Sequence, residues 1–141
     1  MKTKIKCICV SVIICIVGIM ASCGYDNSTL EIEFLLRAMS GAENYVFPGG
    51  KMVTTDGIEL GIVAVTHIED TILYIENDDG DKIEFLHPDM ADITGVIITK
   101  GSTINGFKIN GNTPITVGER FLVPIGEYEN FITVTAIRKT D

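Results

Sequence analysis

The sequence predicts a mainly β protein: one small antiparallel barrel, or a sandwich, of about seven or eight short strands with one short N-terminal helix. Three observations predict it. After Gly49-Gly50 the apolar residues recur at period two, and they are largely β-branched or aromatic. Turn residues interrupt that pattern every eight to twelve positions. The chain has 141 residues, enough for one domain with a real core even after loss of a leader.

In chain order, Ser28-Thr29-Leu30-Glu31 has the form of a capping box, in which a hydroxyl accepts a free amide and Glu31 reaches back. It predicts a helix over 29–40 that stops at Gly41. Leu30, Ile32 and Phe34 alternate, so an edge strand is the competing reading. Strands are then expected over 51–55 and 58–68 around the turn Asp56-Gly57, and over 71–77 after a turn at Glu69-Asp70. Asp78-Asp79-Gly80-Asp81 turns the chain into a strand over 82–87, which Pro88 ends by starting another turn. Further strands are expected over 93–99, 104–109, 115–117, 120–125 and 131–138, with turns at Lys100-Gly101 and Asn110-Gly111-Asn112. Closing such a sheet on itself removes exposed edges, which favours the barrel. The succession Gly61-Ile62-Val63, Thr71-Ile72-Leu73-Tyr74-Ile75 and Val117-Gly118-Glu119-Arg120-Phe121 resembles SH3-like or OB-like barrels in spacing. That is an analogy of fold and carries no site.

The first 22 residues read differently. Lys2, Lys4 and Lys6 form a basic start, and residues 7–20 are an apolar run of signal-peptide length. The run is short for a membrane span, which takes about 20 residues. It ends in Met20-Ala21-Ser22-Cys23, which resembles the lipobox of bacterial lipoproteins, with methionine where leucine is usual. The resemblance implies cleavage between Ser22 and Cys23, diacylglycerol on the Cys23 thiol and an N-acyl chain as a possible addition. Residues 1–22 are then the leader, 23–28 the lipidated cysteine and tether, and 29–141 a single β-rich extracytoplasmic domain. Two acyl chains meet the requirement for stable attachment, at about 0.8 kcal/mol per buried methylene. The expected location is the bacterial cell envelope, with the lipid bilayer as one partner and an envelope protein or polymer as another.

Charge and cysteine content narrow the function. Removing the three leader lysines leaves eight basic residues against nineteen acids, a charge near −11. Such a domain repels phosphate backbones, which excludes nucleic acid as an expected partner. Cys7, Cys9, Cys15 and Cys23 all precede the domain, so neither disulfides nor a thiolate metal site hold it together.

For chemistry, the histidines are His67, in an expected strand, and His87, in His87-Pro88-Asp89. Either beside a carboxylate would suit a small hydrolase. The serines beyond the lipobox are Ser28, Ser40 and Ser102, and none sits in a nucleophile elbow. Asp78, Asp79, Asp81 and Glu84 crowd one hairpin and are weak candidates for calcium, but Ile75 stands where an EF-hand needs its first acid. Tyr45, Phe47 and Tyr128 are candidates for a recognition surface, whereas Phe107 and Phe131 are expected in the core. The reading favoured is a non-enzymatic binding or structural module, with no catalytic residues and no cofactor beyond the lipid on Cys23. A bacterium expressing the chain should yield a mass equal to residues 23–141 plus diacylglycerol, and Cys23→Ser should abolish that species and its partition into detergent.

Overall fold

From Ser28 to Ala38 every even-numbered residue is buried, and every odd-numbered one is half-buried or exposed. That is the period of a strand with one face on a core. The computed structural model describes residues 27–140, and this segment is its strand β1 (Ser28–Met39). The helix expected over 29–40 is therefore a strand. Leu, Glu, Arg, Ala and Met suit a helix locally, but β1 is central in the sheet, and partners on both sides satisfy its backbone. Glu31, assigned to a cap, instead lies 3.8 Å from Arg138 on the neighbouring strand, and Arg138 also pairs with Glu33.

The remaining strands are β2 (Lys51–Val53), β3 (Glu59–Glu76), β4 (Lys82–Ser102), β5 (Lys108–Ile109), β6 (Thr113–Pro114), β7 (Arg120–Ile125) and β8 (Tyr128–Thr140). All pairings are antiparallel, and the order across the sheet is β2-β3-β4-β1-β8-β7, with β5 on β4 and β6 on β5. The amide of Thr55, in the β2–β3 turn, donates to the carbonyl of Leu122 in β7 at 2.8 Å. This bond joins the two ends of the order, so the sheet is a nearly closed barrel. The barrel encloses Leu30, Ile32, Phe34 and Leu36 of β1 with Ile93 and Ile97 of β4 and Ile132 and Val134 of β8. Phe34 faces Gly95 across the β1–β4 ladder, and a Cβ on Gly95 would stand 2.7 Å from the ring. The missing side chain is what lets the ring lie on the sheet.

Five expected turns or strands differ. Of the strand expected over 104–109 only Lys108–Ile109 forms, as β5, because Asn105 and Gly106 adopt positive φ in a turn over 104–106. Glu69-Asp70 and Pro88 do not end strands; β3 and β4 run through them. The ladder pairs Asp70 with Ala91 and Ile72 with Leu86, so Thr71 alone faces the four residues 87–90. The two predicted turns lie opposite each other and together form one bulge, which accommodates Pro88 within a paired strand. Lys100-Gly101 lies inside β4 because Ser28 and Thr29 pair with Gly101 and Lys100. Residues 115–117 form no strand, although Ile115 is buried and its amide bonds Phe107.

Beyond the pair Met39–Met90, β1 stops and β3 and β4 continue alone as a two-stranded arm over 72–86, closed by the turn at 77–80. The arm is tied to the barrel at its base. Arg37 grips Asp92 with two hydrogen bonds, Nε to Oδ1 at 2.7 Å and Nη2 to Oδ2 at 2.8 Å. The Thr71 hydroxyl, fully buried beside the bulge, donates to the same Oδ1 at 2.9 Å. The Arg37 hydrogen bonds, assisted by Thr71 and by the guanidinium charge, hold the Asp92 carboxyl below the usual range against the opposing effect of burial.

A carboxyl lowered in the folded state contributes stability above its unfolded value, about 3.9, and that contribution is lost as pH falls through the folded value. Asp92→Asn should destabilise the chain by about 2 kcal/mol at pH 7, the range for hydrogen bonds to charged groups. The gap from wild type should narrow in denaturant titrations as pH falls below about 4.

Candidate functional site

The barrel has two unlike ends. β1 begins at Ser28, and antiparallel pairing puts Gly101 beside it. β1 then runs twelve residues to Met39, roughly 40 Å at strand rise, and the arm continues in the same direction. A cleft of about 690 Å³ lies at the Ser28 end, lined by Glu59, Ile62, Ile98 and Lys100 around Gly61, Gly101 and Gly111.

A second cleft, of about 600 Å³, lies at the opposite end beside the base of the arm. One wall is the segment that follows β1. Gly41, at φ 99°, reverses the chain into a short 3₁₀ turn (Ala42–Asn44), and the Glu43 carboxylate accepts the Gly41 amide at 2.9 Å. Buried Ala42 and Val46 fix this segment to the core and leave Tyr45 turned outward, 58% exposed. The other wall is the two-residue hairpin between β7 and β8, where Ile125 pairs with Tyr128. Gly126 adopts φ 63° there, as tight hairpins require. A Cβ on Gly126 would lie 2.9 Å from Tyr45 Cζ, so the ring rests on the glycine.

Tyr45 and Tyr128 thus share one cleft with Asn44, Glu127, Glu129 and Asn130, and no basic side chain lines it. Aromatic faces offer apolar contact and attraction for cations, and the carboxylates and amides offer hydrogen bonds. This is recognition chemistry, suited to a cationic or hydroxyl-bearing group.

The other candidates are dispersed. Phe47 is half exposed but packs beside Gly50, outside this cleft. Phe107 is packed against the core as expected. Phe131 is not: it is 48% exposed, with the Arg120 guanidinium 4.3 Å from its ring centre. Its outward position follows from strand alternation, because Ile132 takes the core side. His67 lies 3.0 Å from Glu69 on an exposed strand face. His87 accepts the Asp89 amide at the bulge, 3.2 Å away. His67 lies four residues along β3 from Thr71, which faces the bulge that holds His87, a separation of about 13 Å along the strand. The shared pocket that a hydrolase reading needs is not formed by these two.

At the arm tip the Asn77 side-chain oxygen accepts the amides of Asp79 and Asp81, at 3.1 and 2.8 Å. Glu84 faces Tyr74, whose hydroxyl donates to it at 3.5 Å. Among the described residues no three His, Cys, Asp or Glu side chains converge as metal ligands, so Asp78, Asp79, Asp81 and Glu84 form no cluster. Ser22 and Cys23 lie outside the described residues. No protein-family model, curated protein or solved structure matches this chain.

Sequence reasoning named both tyrosines but not the two segments that bring them together. The available signal was Gly126 between two strands, a hairpin whose far side had no partner in the sequence. Gly126→Ala should displace the Tyr45 ring and strain the turn, lowering stability by about 1 to 3 kcal/mol. Nuclear Overhauser cross-peaks from the Tyr45 ring to residue 126 should be lost while the core spectrum is kept.

Proposed function

We propose that this chain is a membrane-anchored bacterial lipoprotein whose small β-barrel is a non-enzymatic binding or structural module at the cell envelope. Lipid on Cys23 holds the domain close to the bilayer through a tether of four residues, 24–27, because Ser28 already belongs to β1, a reach on the order of 10 Å. The observation that carries the reading is the Tyr45–Tyr128 cleft, at the end of the barrel opposite the tether, where an envelope protein or polymer can reach it. The charge near −11 supports a partner other than nucleic acid. His67 has a carboxylate beside it, Glu69 at 3.0 Å, but both side chains stand about 70% exposed on a strand face outside this cleft, so the binding reading is preferred to a hydrolase.

The test is retention in the envelope of the native bacterium after mild detergent has removed the lipid bilayer. Wild type should stay with the insoluble envelope residue, and Tyr45→Ala combined with Tyr128→Ala should release at least ten times more protein. Both forms should carry the same lipidated mass. Equal release from the two would remove the cleft from the function.

A further inference from the structure

The arm has a face that the barrel does not cover. Cross-strand partners share a side of a ribbon, and the ladder pairs Leu73 with Phe85 and Ile75 with Ile83. These four side chains make one unbroken apolar face, on which Ile75 is 54% and Ile83 52% exposed. The opposite face is interrupted by the pairs Tyr74–Glu84 and Glu76–Lys82. A two-stranded ribbon buries too little to form a core of its own, so such a face stands in water at a cost unless something else covers it.

Charge selects the occupant. Residues 69–89 hold eight acids and a single base, Lys82, apart from the histidines, a net charge near −7. The acids flank the apolar face at the tip (Asp78, Asp79, Asp81) and at the base (Glu69, Asp70, Asp89). A second copy would set this charge against its equal. Anionic lipid headgroups would be repelled as well, and the arm points away from the tether, an orientation that matters for the membrane only if the proposed anchor holds. The residue types flanking the face match Lys and Arg around an apolar patch, which is the pattern of a protein interface with an apolar centre and a charged rim. The hydrogen bonds of Arg37 and Thr71 to Asp92 hold the base of the arm to the barrel, so its ordering is not left to the partner.

We infer that the arm over 72–86 is a docking element for a basic protein partner, which covers Leu73, Ile75, Ile83 and Phe85 and pairs its Lys or Arg residues with the acids around them. This site is separate from the Tyr45–Tyr128 cleft.

The experiment is photo-crosslinking of the full chain in its own bacterium, with p-benzoylphenylalanine at position 75 or 85, and at the exposed barrel position 117 as reference. Positions 75 and 85 should give adducts to one protein through a Lys- or Arg-rich peptide, at ten times or more the yield from position 117. Adding Asp78→Lys, Asp79→Lys and Asp81→Lys should cut that yield at least fivefold, with the melting transition unchanged. Adducts to a second copy or to lipid, equal yields at all three positions, yields indifferent to charge reversal, or no adduct would each overturn the assignment. The lipidated mass and the detergent retention of the same preparations report separately on the anchor and the cleft, so failure of either is told apart from failure of the arm.

Discussion

Strand β1 hydrogen-bonds to β4 along all twelve of its residues and to β8 along eight of them, and its six even-numbered side chains from Ser28 to Ala38 all face inward. Slipping the register by one residue would expose Leu30, Ile32, Phe34 and Leu36 together, at about 1.5 to 3 kcal/mol for each large side chain. The register of β1 therefore fixes that of β4 and β8. Through them it fixes β3, where Gly95 of β4 receives the Phe34 ring, and β7, whose Leu122 carbonyl meets the β2–β3 turn. The near closure of the barrel is a consequence of this central strand.

The same pairing explains why the molecule is asymmetric. β1 has twelve residues, whereas β3 has eighteen and β4 twenty-one. The excess length has no neighbour and leaves the barrel as the arm. The bulge at Thr71 marks the transition, and Asp92, bound by Arg37 and Thr71, satisfies the polar groups there. In the barrel β1, β4 and β8 each have a neighbour on both sides, while the arm keeps both its edges and its apolar face open.

Recognition features accordingly collect at one end. The tyrosine cleft needs the end of β1 and the β7–β8 hairpin, and the arm springs from β3 and β4 beside Met39 and Met90. The start of β1 at Ser28 lies at the other end. A lipid anchor at Cys23 would present both features outward, in keeping with the reading of a stationary binding module.

The sequence by itself determined the β class, the approximate strand count, the β7 span of 120–125 and the acidic hairpin tip, because period-two burial and glycine turns are local effects. Its lipobox resemblance concerns residues 20–23 and does not depend on the fold. Tertiary structure alone decided the rest. The alternation of Leu30, Ile32 and Phe34 left a strand open as the competing reading, and the two neighbours that complete its backbone hydrogen bonds decide for it and place β1 in the centre of the sheet instead of at an edge. Glu69-Asp70 and Pro88 read as turns singly and become one bulge when paired. Tyr45 and Tyr128, 83 positions apart, line one cleft because Gly126 leaves room for the Tyr45 ring. Such contacts depend on which strands are neighbours, and that is set by burying every apolar face at once.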